Sequence, residues 1–202
     1  MNTRRGYSSI SGSKRKIIDS AQELFHRQGF QQTSLDDITR VSGVTKSNLY
    51  YHFNSKEELG LEALRERICH YEAEVLDPTL RNASLPPSER LSEFYRRVAA
   101  YHRSQIPPAG CPFGNLAVEM CGTNDNFRDV LSSFFDMWED SLESCIREGI
   151  ESGDFRGDYP PRLMAQMILS HLEGMVLMVK THRTMDPLDS GTKMIMSLLR
   201  AT

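Results

Sequence analysis

Polar and aromatic side chains are concentrated in one short stretch, Thr45–Tyr51, which reads TKSNLYY. Hydroxyl, ammonium, amide and phenol groups are the ones with which proteins bind phosphates and the edges of bases. No carboxylate lies between Arg40 and Tyr51, so nothing in this part of the sequence repels a polyanion. The composition favours nucleic acid as the partner of this segment, and an ordinary helical hairpin on a protein surface is the alternative.

Two short helices joined by a glycine turn would position these side chains. Ser34 and Asp37 form a capping-box pattern at the start of the first helix. Gly43 ends that helix, because glycine tolerates the left-handed conformation, and Thr45 caps the second helix. Helices joined so tightly cross steeply, so the second one projects from the surface and can enter the major groove of DNA. The pattern predicts a helix-turn-helix.

The charge of the chain is distributed unevenly. The net charge is −3, which taken alone argues against a DNA-binding protein. Residues 1–56, however, carry nine Lys or Arg and four Asp or Glu, a net charge of +5, and the remainder carries −8. A basic amino-terminal part that contains the helix-turn-helix, followed by an acidic part, indicates a protein that contacts DNA at one end only.

The residues around the helix-turn-helix match a known domain at many separated positions. The first quarter of the chain resembles the DNA-binding domain of the TetR family of transcriptional regulators, through GFQQTS at 29–34, Ile38, SGVTKSNLYYHF at 42–53 and KEEL at 56–59. Thr45 and Asn48 differ from the commoner residues at their positions, which affects which bases are read. The resemblance implies a homodimeric regulator, most often a repressor, that a small-molecule effector releases from a palindromic operator, and we expect that effector to be apolar or electrophilic.

A set of nine side chains is predicted to contact double-stranded DNA. Base contacts are expected from Thr45, Lys46, Ser47 and Asn48, and phosphate contacts from Thr33, Lys46, Tyr50, Tyr51, His52 and Lys56. The contact of Lys56 with the DNA backbone is implied by the resemblance. The helix dipole alone would favour an acidic residue at that helix start, so a lysine there indicates a role outside the helix. Thr33 has a second interpretation as a local cap.

Helical periodicity continues through the rest of the chain and predicts an all-α protein of about nine helices. Residues 1–12 are expected to form a flexible basic arm, in which Arg4 and Arg5 could reach a minor groove. Residues 13–56 are expected to form the helix-turn-helix domain and residues 57–202 a helical domain for effector binding and dimerisation. The resemblance implies that the last two helices pair across a two-fold axis.

Methionine and aromatic residues are concentrated in the predicted eighth helix and its neighbours. Methionine fills irregular space, which suits an apolar effector pocket, although plain core is the better interpretation of any single one. The resemblance implies an effector site in this domain, with a predicted lining of Tyr101, Cys111, Phe113, Met120, Phe134, Trp138, Met167, His171 and Met175. Some of the methionines could face a partner chain instead.

Composition argues against several other classes of protein. The four cysteines form no CxxC pair, so neither a zinc site nor a redox motif is indicated, and no metal or cofactor is expected. No run of eighteen apolar residues occurs, and no apolar stretch follows the basic amino terminus. A cytoplasmic protein that does not associate with membranes is expected.

Two other functions remain as alternatives. Cys111 could be the nucleophile of an enzyme with His102 or His171 as the base, although no catalytic motif surrounds these residues. The same thiol could instead sense electrophiles or oxidants, and a buried, inert cysteine is the simpler interpretation. A non-specific DNA-packaging protein is the second alternative, and the acidic carboxy-terminal part argues against it.

Overall fold

The computed structural model describes residues 12–201. Within that range the chain forms nine α-helices and one isolated β-bridge, between Phe155 and Arg200, which confirms the predicted all-α fold. The expected basic arm, with Arg4 and Arg5, lies outside the described residues except for Gly12. The helices are α1 Gly12–Gln28, α2 Leu35–Ser42, α3 Lys46–His52, α4 Lys56–Tyr71, α5 Pro87–Ser104, α6 Pro112–Met120, α7 Asp125–Ser152, α8 Pro161–His182 and α9 Asp186–Leu199.

Contacts divide the chain into two compact units, Met1–Arg67 and Ile68–Thr202. The division falls inside α4, later than the boundary predicted after residue 56, because the first turns of α4 pack within the amino-terminal unit. Leu59 and Ala63 are buried there, and Gln22 Nε2 donates to the Ala63 carbonyl oxygen at 2.8 Å. Beyond Tyr71, α4 continues as one π-helical turn, Glu72–Leu76.

Local sequence fixes both ends of α2. Ser34 Oγ accepts from the Asp37 backbone N–H at 3.1 Å, and the Asp37 carboxylate accepts from the Ser34 backbone N–H at 3.0 Å, so the capping box is present as predicted. Gly43 has φ = 68°, and its N–H donates to the Thr39 carbonyl oxygen at 3.0 Å. α3 begins at Lys46, three residues after Gly43, with Thr45 as its cap. The helix-turn-helix prediction is confirmed.

The carboxy-terminal unit is built around α7 and α8, which pack against each other. α5 and α6 pack on α7, and α9 packs on α8. α8 is long and apolar enough to cross a membrane by length and composition alone. It is nevertheless a core helix of this unit, because residues such as Ile168, Leu172 and Val176 are buried against its neighbours.

Gly149 allows a close approach between α7 and the loop that follows it. A Cβ at this position would overlap the ring of Phe155, which is itself buried. The Phe155 backbone N–H also donates to the Gly149 carbonyl oxygen at 2.9 Å, which holds the backbone of Phe155 close to α7. The neighbouring Arg156 N–H donates to the Leu199 carbonyl oxygen at 2.9 Å, which ties the same loop to the end of α9.

Gly149→Ala is therefore expected to destabilise the protein. Overpacking a buried ring costs about 1–3 kcal/mol, which exceeds the gain of about 1 kcal/mol that alanine has over glycine inside a helix. The free energy of unfolding from urea denaturation measures the difference. Gly122→Ala is the matched control, because no atom lies within 4 Å of the Cβ it would add. Equal stability of both variants would contradict the packing argument.

Candidate DNA interface and effector site

α3 presents polar side chains to solvent and anchors itself through Leu49, which is fully buried. Lys46 and Tyr50 are exposed, and Tyr51 is 83% exposed. Thr45 and Ser47 are exposed as well, and Thr45 Oγ1 accepts from the Asn48 backbone N–H at 3.3 Å. The helix is short, so its side chains gain their fixed positions from the packing of Leu49 and from this cap.

Lys46 makes an ion pair that the sequence pattern did not reveal. Its Nζ lies 2.7 Å from Oδ1 of Asp36, at the start of α2. The hydrogen bond from this ammonium to Asp36, together with the charge of the carboxylate, raises the pKa of Lys46. Both side chains are exposed, so water and salt screen the pair and a phosphate can compete with Asp36 for the ammonium. Asp36 lies before the stretch from Arg40 to Tyr51 that contains no carboxylate, so the composition of that stretch does not reveal the pair.

Thr33 contributes to the fold of this unit. Its side chain is 1% exposed. Thr33 Oγ1 donates to the Gly29 carbonyl oxygen at 2.7 Å and accepts from Gln28 Nε2 at 3.2 Å. The structure therefore does not support the predicted contact of this hydroxyl with a phosphate and favours its second interpretation, a local structural bond.

Lys56 likewise serves the fold. Its Nζ donates to three backbone carbonyl oxygens, those of Phe30 at 3.1 Å, Gln31 at 3.4 Å and Thr33 at 3.2 Å. The same ammonium lies 4.6 Å from the centroid of the Phe30 ring. An ammonium has three donors, and all three are used here. The predicted phosphate contact of Lys56 is not supported, and its position at a helix start is explained by these bonds.

His52 and Asn48 are less exposed than the other polar side chains of α3. His52 is half-buried, with Nε2 at 3.2 Å from Ser13 Oγ on α1. Asn48 is half-buried, and its enclosed Oδ1 has no hydrogen-bond partner among residues 12–201. Five of the nine residues predicted to contact DNA are therefore exposed together on α3 and its cap. We call them the exposed group on α3: Thr45, Lys46, Ser47, Tyr50 and Tyr51.

In the carboxy-terminal unit, aromatic rings from two helices, α6 and α7, surround Tyr71. The centroid of its ring lies 4.9 Å from that of Trp138, 5.4 Å from Phe113 and 5.8 Å from Phe134. Tyr71 Oη and Trp138 Nε1 are enclosed and have no hydrogen-bond partner in residues 12–201. Buried polar atoms are usually paired, so these two donors mark the cluster as a candidate ligand site. We call these four residues the Tyr71 cluster.

A carboxyl group adjoins the Tyr71 cluster. Glu173, on α8, accepts a hydrogen bond from the Cys111 thiol, and burial raises the pKa of Glu173. A Cβ on Gly114 would lie 2.5 Å from Glu173 Oε2, so the backbone of α6 touches this carboxyl group. Burial, with the nearby Cys111 and Glu173, also raises the pKa of Tyr71. Sequence reasoning missed both Glu173 and Tyr71 as site residues, because a single acid on an apolar helix carries no motif.

The predicted effector pocket is supported only in part. Cys111, Phe113, Phe134 and Trp138 lie together at or beside the Tyr71 cluster, and Met120 is buried at the end of α6. Tyr101 and Met167, by contrast, are 37% and 43% exposed. His171 and Met175, the other two predicted pocket residues, lie against α9, because a Cβ added at Gly191 would contact both.

The Cys111 thiol is poorly placed for nucleophilic chemistry. Burial and the neighbouring Glu173 raise the pKa of Cys111, which disfavours the thiolate. The alternative of a cysteine-dependent enzyme therefore gains no support from its surroundings. In the part of the chain that the structure describes, no group of three or more His, Cys, Asp or Glu side chains could hold a metal ion.

An apolar face is exposed on α8 and α9. Leu163, Met167 and Leu198 line a surface groove of about 430 Å³ together with Arg156, Tyr159, Met164 and Leu199. Further large apolar side chains exposed on the same two helices are Leu177, Met178 and Met194. Exposed apolar surface on this scale is typical of an interaction site.

Two domain families match the chain. Residues 17–63 match "Bacterial regulatory proteins, tetR family", and residues 87–195 match "Tetracyclin repressor-like, C-terminal domain". The chain belongs to the TetR family. This TetR-family chain is 30% identical to the HTH-type transcriptional repressor DhaR of Mycobacterium sp. (strain GP1), over 92% of this chain and 91% of that protein. It is also 30% identical to the transcriptional regulator AcuR of Cereibacter sphaeroides, over 94% of this chain and 86% of that protein.

Solved structures of the TetR family have the same fold. A regulatory protein TetR from Rhodobacter sphaeroides superposes with a TM-score of 0.85 at 27% identity, over 93% of this chain and 98% of that one. The reduced form of E. coli NemR superposes with a TM-score of 0.81 at 18% identity, over 94% and 98% of the two chains. The resemblance inferred from residues 29–59 is confirmed, and it extends over nearly the whole chain.

Proposed function

We propose that this TetR-family chain is a ligand-responsive transcriptional repressor that binds a palindromic operator as a homodimer. The observation that carries the proposal is the exposed group on α3, in which Lys46, Ser47, Tyr50 and Tyr51 project from a small helical unit. A helix of this kind inserts into the major groove, with its amino-terminal residues at base edges and its phenols at phosphates. A cytoplasmic location is consistent with this role.

Dimerisation is proposed through the apolar face of α8 and α9. A two-fold interface brings the same surface of each subunit together, so a single self-complementary apolar patch is sufficient. Met167 and Leu198 are exposed apolar residues of this patch, one from each helix. Two copies of α3 would then read two half-sites in inverted orientation, which is why a palindromic operator is expected.

Release by an effector is proposed to start at the Tyr71 cluster. A ligand lowers DNA affinity only if it binds more tightly to a conformation that fits the operator poorly. To weaken operator binding a hundredfold, the ligand must discriminate between the two conformations by about 2.7 kcal/mol. Tyr71 is the last residue of α4, whose first turns belong to the DNA-binding unit, so displacing Tyr71 acts on a helix shared by both units.

Selection of bound sequences from random DNA tests the proposal. We expect enrichment of a motif with two-fold symmetry and a footprint confined to that motif. Two results would count against it: no enrichment at low salt, or uniform protection of any duplex. Uniform protection would instead favour a packaging protein.

A further inference from the structure

We infer that the effector is a small organic cation with an apolar body, held by the rings of the Tyr71 cluster and by the carboxylate of Glu173. This inference rests on the proposed function, because it names the ligand class of the same candidate site. Neither the family nor the relatives' names assign a ligand charge to this chain.

The carboxyl group of Glu173 has no counter-charge among the described residues. No Lys, Arg or His in residues 12–201 forms an ion pair with it, and its one polar partner is the Cys111 thiol. Lys180, two turns further along α8, donates instead to Asn115 Oδ1 at 3.1 Å. Burying an ionised carboxylate without a counter-charge is costly, so the surroundings of Glu173 favour the neutral acid. A bound cation would supply the counter-charge that the protein lacks.

The rings of the Tyr71 cluster could provide the aromatic part of a cation site. Tyr71 packs at 4.9 Å from Trp138 and at 5.8 Å from Phe134, with interplanar angles of 54° and 83°. Once a ligand separates these rings, their faces can attract a cation through their quadrupoles, and tryptophan does so most strongly. Rings beside a carboxyl group are the surroundings that suit a quaternary or alkyl ammonium group.

The two unpartnered donors refine the ligand's chemistry. Tyr71 Oη and the Trp138 indole N–H are enclosed, and Trp138 is only 2% exposed. Both can donate to a carbonyl or ether oxygen on the same molecule. A cation stabilises the ionised form of Glu173, whereas a neutral or anionic ligand leaves this carboxyl group protonated. The rings are close-packed, so the ligand must separate them, and this couples binding to a change of conformation.

Acetylcholine and its neutral isostere 3,3-dimethylbutyl acetate are suitable probes, because they share shape and ester group and differ in charge. Trp138 is the single tryptophan of the chain, so its fluorescence reports directly on this site. We expect acetylcholine to change the emission saturably and to bind at least tenfold more tightly than the neutral ester. Glu173→Gln, which keeps the size of the side chain, should remove this preference.

The exposed Glu151 on α7 provides the matched control, and Glu151→Gln should leave the preference intact. The affinity for acetylcholine should also fall as the pH is lowered through the raised pKa of Glu173, because protons compete with the cation. Cys111 and Tyr71, the titratable neighbours, both have raised pKa values and stay neutral over that range. Equal affinity for both esters, no binding of acetylcholine, or an unchanged preference in Glu173→Gln would overturn the inference.

The fluorescence titration needs no DNA, so its outcome is separate from that of operator selection. Cation binding without a selected operator would overturn the proposed function and leave the site intact. A selected operator without cation preference would overturn the ligand class alone.

Discussion

Met167→Glu is expected to convert the protein to a monomer and to lower its affinity for the selected operator by two orders of magnitude or more. Met167 is 43% exposed in the groove between α8 and the end of α9, so a glutamate is tolerated in the isolated chain. In a two-fold dimer the substitution occurs twice, which places two carboxylates in one apolar interface. Loss of pairing removes the avidity of two linked half-site contacts, which is worth about 10²–10⁴ in affinity.

Sedimentation equilibrium and operator titration measure the two effects of Met167→Glu. Val118→Glu is the matched control, because Val118 is 91% exposed on α6 and does not line the groove of α8 and α9. Val118→Glu should remain dimeric and bind the operator normally. At protein concentrations low enough for both variants to be monomeric, the two should unfold at the same denaturant concentration. A dimeric Met167→Glu with full affinity would place the interface elsewhere.

Substitution of Lys46 is expected to affect DNA binding, whereas substitution of Lys56 is expected to affect stability. Lys46→Gln should weaken binding to every DNA sequence and reduce the steepness of the salt dependence by about 0.9 per lost phosphate contact. Its stability should barely change, since its one ion pair, with Asp36, is exposed. Lys56→Met should instead lower the free energy of unfolding by about 1–3 kcal/mol, because three carbonyl oxygens lose a charged donor.

Urea denaturation and operator titration over a range of salt concentrations separate the two lysines. Folded Lys56→Met should keep the salt dependence of the parent protein. Asp36→Asn is a useful companion, because freeing Lys46 from its carboxylate partner should strengthen binding to all sequences. If Lys56→Met were fully stable and showed the flatter salt dependence, Lys56 would be the phosphate contact that the family resemblance implied.

Local sequence determined most of the amino-terminal unit. The capping box of Ser34 and Asp37, the left-handed Gly43 and the Thr45 cap act over three or four residues, so a linear pattern contains everything needed to place α2 and α3. The same holds for the all-α class, because helical periodicity is read from neighbouring residues. The agreement at residues 29–59 was sufficient to identify the family before any contact was known.

Long-range contacts decided what these side chains do. Lys46 and Lys56 look alike in sequence, yet one is exposed beside Asp36 and the other is saturated by carbonyl oxygens from the loop before α2. Tyr71 and Glu173 are about a hundred residues apart and share a site only because α8 packs beside the rings around Tyr71. Burial and pairing depend on which helices meet, and no local spacing encodes that. The predicted fold was therefore right throughout the described residues, whereas the surroundings of Thr33, Lys56, Tyr101 and Met167 favour roles other than the predicted ones, which no comparison tests.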